Sequence, residues 1–61
     1  MYEKFEALLK ERNATIYRVS KGTGINSGFF YDWKSGKYEP KIQKLQKIAD
    51  YFGVSVAYFL S

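Results

Sequence analysis

The segment Thr15-Ile16-Tyr17-Arg18-Val19-Ser20-Lys21-Gly22-Thr23-Gly24-Ile25-Asn26-Ser27-Gly28-Phe29-Phe30-Tyr31-Asp32-Trp33-Lys34-Ser35-Gly36 decides the fold. Thr15 carries an N-cap hydroxyl, able to accept a backbone N–H two or three residues on, and Ile16, Val19 and Ser20 then fall on one inward side. Gly22 and Gly24 weaken a helix by roughly 1 kcal/mol each and supply the positive φ of a tight turn, so this helix is expected over 15–22. Ile25 follows as an apolar plug. Asn26 is the next N-cap, and a second helix is expected over 26–35, through Phe29, Phe30, Tyr31 and Trp33 to a stop at Ser35 and Gly36. Phe30 and Trp33, three apart, share its inner face.

Outward from this segment the pattern stays helical. Tyr2, Phe5, Leu8 and Leu9 recur at helical spacing, with Glu3, Glu6 and Lys10 opposite, and predict a helix over 2–12 that Asn13 ends. Pro40 disfavours helical geometry at Glu39, so residues 36–40 form a loop. Ile42, Leu45, Ile48, Ala49 and Phe52 give an apolar stripe for a helix over 41–52, stopped by Gly53. Ser55 caps a last helix over 55–60, with Val56, Phe59 and Leu60 apolar. Nowhere does a period-two run between hairpin turns occur, nor an internal repeat. The expected architecture is all-α: five helices around one core, a single domain over 1–61.

Composition removes most chemistry. The chain has 61 residues and neither Cys nor His, which excludes zinc sites built on those ligands, thiol nucleophiles and histidine acid–base relays. The carboxylate pairs Glu3/Glu6 and Asp32/Glu39 have no pocket to perturb them and are explained by salt-bridging or capping. No enzyme activity, cofactor, metal or small-molecule substrate is therefore expected. A net charge of +4 favours a polyanion, either nucleic acid or an acidic membrane surface. The stretch from Val54 to Leu60 falls far short of the ~20 apolar residues of a membrane span. With no secretory-signal pattern and no Cys, a cytoplasmic protein is the default.

Two short helices joined by a glycine-bearing turn have the lengths of a helix-turn-helix, whose second helix enters the DNA major groove, and equally those of an ordinary helical hairpin. The residues Thr15 to Val19, Thr23-Gly24-Ile25-Asn26, Trp33-Lys34-Ser35-Gly36-Lys37, Pro40 and Lys47-Ile48-Ala49-Asp50-Tyr51-Phe52-Gly53-Val54-Ser55-Val56 separate the two by their joint spacing. Together they resemble the lambda-repressor-like helix-turn-helix family, the Cro and phage-repressor type. The resemblance implies that Thr15 and Ile16 approach the phosphate backbone. It places Asn26, Ser27, Gly28, Tyr31 and Asp32 against base edges, and Lys34, Lys37 and Lys41 against phosphates. Val19, Ile25, Phe30 and Trp33 would be core. Arg18 and Lys21 lie on the exposed side of the first of the two helices, as further phosphate contacts or as surface charge.

Departures from the family pattern carry information too. Ile16 stands where the family very often has Gln, so one phosphate contact is lost. No Arg, Gln or Lys lies between Asn26 and Tyr31, so the common bidentate contacts to guanine and adenine are missing unless Asn26 escapes its capping role. Phe29 has three readings: thymine-methyl contact alongside Tyr31, an exposed patch for a protein partner, or a core residue packed on the first helix. Lys44 and Lys47 are read as a solvated face. Val56, Ala57, Tyr58 and Leu60 are candidates for the two-fold contact that the last helix often makes in this family, against a reading in which they close the monomer core.

The expected function is sequence-specific binding of double-stranded DNA by a small bacterial or prophage transcription regulator, a repressor. It would act as a homodimer on a palindromic operator, with helix 26–35 of each subunit in the major groove. The alternative is a protein-interaction module on the same fold, antitoxin-like or a regulatory adaptor, using an aromatic recognition helix.

Overall fold

The computed structural model describes residues 1–60. Five helices follow in order: α1 (Tyr2–Glu11), α2 (Ile16–Thr23), α3 (Ser27–Ser35), α4 (Ile42–Phe52) and α5 (Ala57–Leu60). There is no strand among the described residues. Three expected starts sit one residue before the observed ones, because Thr15, Asn26 and Lys41 are caps with non-helical backbone rather than helical residues. Thr15 Oγ1 accepts from the Arg18 N–H at 3.1 Å and Asn26 Oδ1 from the Gly28 N–H at 2.6 Å, each satisfying a helix-start donor that lacks an intrahelical partner.

The helix ends differ from expectation for identifiable reasons. α1 stops at Glu11, not Arg12, because Asn13 turns left-handed at φ 54 and its neighbours close the turn, Ala14 N–H donating to Leu9 O at 2.8 Å. α2 runs past Gly22 to Thr23 and stops on left-handed Gly24. Gly22 is a contact glycine rather than a breaker: a Cβ there would run into the Tyr51 ring of α4. α5 is four residues, not six, since Ser55 caps it by accepting from the Ala57 N–H at 3.1 Å and Val56 remains in the entry turn.

The core comprises Phe5, Leu8, Val19, Ile25, Phe30, Trp33, Leu45, Ile48, Ala49, Phe52 and Phe59. Val19, Ile25, Phe30 and Trp33 are thus buried as the sequence predicts. Phe5 is the hub: its ring stacks on Phe30 (5.2 Å between centroids, 14° between planes), tilts against Trp33 at 5.2 Å and meets Phe52 edge-on at 6.1 Å. Such pairs add about 0.5–1.5 kcal/mol beyond the area they bury. This ties α1 to the inner face of α3 and so fixes which face α3 turns outward. Ile42 departs from its stripe, being 55% exposed, because α4 begins before it reaches the core.

Candidate nucleic-acid interface

Ile25 is the buried plug between α2 and α3, and hydroxyls of α2 satisfy both of its backbone polar groups. Ser20 Oγ donates to Ile25 O at 2.6 Å, while Thr23 Oγ1 accepts from Ile25 N–H at 3.2 Å and donates to Val19 O at 2.7 Å. A buried backbone group left without a partner costs roughly 1–3 kcal/mol, so this stitching sets the path of the chain between the helices. Sequence reasoning placed Ser20 inward but missed the brace. The available signal was a Ser and a Thr beside the turn glycine, residues that bond local backbone in this way.

At about 100° per residue, burial of Phe30 and Trp33 turns Gly28, Tyr31, Asp32 and Ser35 away from the core. Asn26, Ser27, Gly28 and Tyr31 are exposed, Tyr31 at 57%, and Asp32 is half-buried. These predicted base-facing residues therefore lie along one side of α3. Asn26 has its carboxamide oxygen committed to the cap, and a Cβ at Gly28 would press on that oxygen at 2.9 Å. The glycine thus makes room for the cap. Ser35 Oγ donates to Asp32 O at 2.9 Å, as does the Lys37 N–H at the same distance, tightening the end of α3.

The predicted phosphate-facing residues fall into separate places. Thr15 and Arg18 are exposed at the start of α2, with the Thr15 hydroxyl occupied by its cap. Ile16 beside them is half-buried and packs on the core. Lys34 and Lys37 line an open cleft with Met1, Tyr2, Trp33 and Tyr38. Lys41 lines another with Phe29, Tyr38 and Lys44. α4 has no acidic residue in its first turn and no side-chain cap, and Glu39 is the one carboxylate in the cleft with Lys41.

Phe29 is half-buried, edge-on to Phe30 at 5.8 Å and tilted against Trp33 at 6.5 Å, and the Lys44 ammonium covers its ring at 4.2 Å. Its ring partners come from α3 and α4 rather than from α1. Burial pushes the pKa of the Tyr2 hydroxyl up, and the Glu6 carboxylate and Tyr31 hydroxyl push it the same way, which puts Tyr31 within electrostatic reach of α1. Of the predicted dimer residues, Val56 and Tyr58 are half-buried against the core, and Tyr58 OH donates to Lys4 O at 3.5 Å. Ala57 and Leu60 are exposed, Leu60 at 58%. Among the described residues no helix is long and apolar enough to cross a membrane.

A 28% identical relative, the cryptic phage CTXphi transcriptional repressor RstR of Vibrio cholerae, aligns over 58 residues. The alignment covers 95% of this chain and 52% of RstR, so the chain spans about half the length of that relative. No solved structure matches the chain. Residues 4–61 match the Cro/C1-type HTH DNA-binding domain, and that match carries the α2–turn–α3 unit, its Ile25 plug and the α4 stripe together. The chain belongs to the family of Cro/C1-type helix-turn-helix DNA-binding domains.

Proposed function

We propose that the chain regulates transcription, as a repressor, by binding a palindromic double-stranded operator as a homodimer in the cytoplasm. α3 of each subunit enters the major groove, with half-sites about one helical turn apart. The observation that carries this reading is the rigid presentation of α3: Ile25 pinned by Ser20 and Thr23, and an outward face free of core duties. Asn26, Ser27, Gly28, Tyr31 and Asp32 approach base edges, and Thr15, Arg18, Lys34, Lys37 and Lys41 hold phosphates. Specificity rests on few donors. Asn26 spends its carboxamide oxygen on the cap, so Tyr31 supplies a hydroxyl and apolar contact with thymine methyls, and Gly28 admits close approach of the helix.

Val56, Ala57, Tyr58 and Leu60 form the two-fold contact, with Ala57 and Leu60 supplying its outward surface. The name of the relative supports the repressor reading for this chain. A protein-binding role for α3 has less support, because its apolar candidate, Phe29, is packed edge-on and roofed by Lys44. Selection of bound duplexes from a randomised pool at moderate salt, followed by sequencing, tests the proposal. An enriched inverted repeat supports it and gives the half-site spacing; a pool that emerges unenriched at low salt overturns it.

A further inference from the structure

We infer that Lys44 of α4 is a DNA-backbone contact and that Phe29 of α3 is the platform that holds it in position. Four lysine ammoniums lie over aromatic rings among the described residues. Lys21 over Tyr17 and Lys37 over Tyr38 are local pairs, and Lys4 over Tyr58 joins α1 to α5, at 5.4 to 5.7 Å from the centroids. Lys44 over Phe29 is the closest at 4.2 Å, and it alone joins another helix to α3.

The Phe29 ring is itself fixed, edge-on to buried Phe30 and tilted against buried Trp33. A lysine on an exposed helix face samples many rotamers and loses that freedom when it grips a phosphate. Seated on a fixed ring, Lys44 has given up part of that freedom already. The ring engages one side of the ammonium, and an ammonium carries three donors, so donors remain for a phosphate oxygen. Phe29 lies about 100° around α3 from exposed Gly28, half-buried at the border between the inner face and the outward one, so an ammonium on its ring stands beside the outward face of the helix. Lys41 lines the same cleft and adds positive charge, with Glu39 the one acidic residue there.

The assignment rests on the DNA-binding reading of α3 and deepens it: the phosphate grip extends along α4 to a lysine whose order comes from the recognition helix. It is tested by fluorescence anisotropy of the full chain on a mixed-sequence duplex, with the salt concentration varied. The slope of log affinity against log salt for Lys44→Gln falls by about 0.9 from wild type, and Lys44→Arg restores it. Phe29→Leu keeps apolar packing and removes the π-face; in that background the affinity lost on Lys44→Gln shrinks by at least half. Circular dichroism melts of each variant confirm a folded domain. Wild type and Lys44→Gln with the same slope overturn the contact, and equal losses in both Phe29 backgrounds overturn the platform. If the wild type retains no duplex at low salt, DNA binding itself fails and the assignment falls with it.

Discussion

Arg12, just past the end of α1, donates its guanidinium Nη1 to the carbonyl of Phe52, the last residue of α4, at 2.9 Å across forty residues of sequence. The last carbonyls of a helix have no intrahelical partner and lie at the negative end of its dipole, so a cation there satisfies both. α4 has no basic residue of its own in its last turn. α1 supplies it from outside.

Replacing Arg12 by Met keeps most of the side-chain bulk and removes the donor and the charge. The guanidinium is partly exposed, so water screens it and the loss is about 1 kcal/mol. For a domain of this size that lowers the melting temperature by roughly 4–8 °C. Arg12→Lys recovers part of the loss, since an ammonium keeps the charge without the planar fork. A Met variant that melts with the wild type removes the cross-helix cap.

Gly22 and Tyr51 give a sharper test because two effects of opposite sign meet at one position. Alanine in a helix interior is favoured over glycine by about 1 kcal/mol. At Gly22 the new methyl would meet the Tyr51 ring and push it from its seat against α2. Gly22→Ala in the wild type therefore lowers stability or leaves it unchanged, the displaced ring offsetting the helical gain. In a Tyr51→Ala background the same substitution raises stability by about 1 kcal/mol. Urea denaturation of the four chains measures it, and the same sign in both backgrounds would remove Tyr51 as the cause.

Positions of this kind explain which parts of the molecule were legible beforehand. The stripe Leu45, Ile48, Ala49 and Phe52 was readable because periodicity reports which way a residue points around a helix. Ile42 shared the spacing and is exposed, since periodicity says nothing of where along its axis a helix meets the core. Thr15, Asn26 and Ser55 were readable as caps from their own chemistry, although caps lie outside the helices they start. Gly22 was misread as a breaker because its reason, Tyr51, is distant in sequence. Phe29 stayed ambiguous for the same cause: its cover, Lys44, comes from another helix. On the candidate interface, the family resemblance implied the outward residues of α3, whereas the Ser20 and Thr23 brace needed three dimensions.

Tyr2 yields a pH prediction. Its folded pKa lies above the ordinary 10.0, first from burial and then from Glu6 and Tyr31, so folding favours the neutral phenol. A raised pKa gives stability that is fully present below the unfolded value and is lost as pH rises through the folded one. Melting temperature therefore falls above pH 10 in part through Tyr2. The informative quantity is the difference between wild type and Tyr2→Phe. That difference is constant at neutral pH and shifts in favour of Phe on the alkaline side. A difference that stays flat there would show that Tyr2 carries no pH dependence.

Phosphate grip and base reading separate experimentally. Lys37→Gln or Lys41→Gln lowers the salt slope by about 0.9 each and weakens all duplexes alike, leaving the selected sequence unchanged. Tyr31→Ala does the reverse, changing the sequence recovered from a randomised pool at an unchanged slope. A lysine variant that alters preference, or a Tyr31 variant that alters only the slope, exchanges the two roles.

Leu60 tests the assembly. α5 turns Phe59 into the core, at 2% exposure, and leaves Leu60 at 58% with Ala57 also outward. One exposed leucine is ordinary on a protein surface. In the proposed homodimer, Leu60 with exposed Ala57 of α5 and neighbouring Val56 would form the apolar centre of a self-complementary two-fold contact. Leu60→Asp places two carboxylates against each other across such an axis, so the sedimenting species becomes a monomer that keeps its helical circular dichroism. Binding to a duplex with two half-sites then falls far more than binding to a single half-site, because the second subunit no longer arrives with the first. Equal losses on the two duplexes, or a variant that sediments with a dimeric wild type, would move the two-fold contact away from α5.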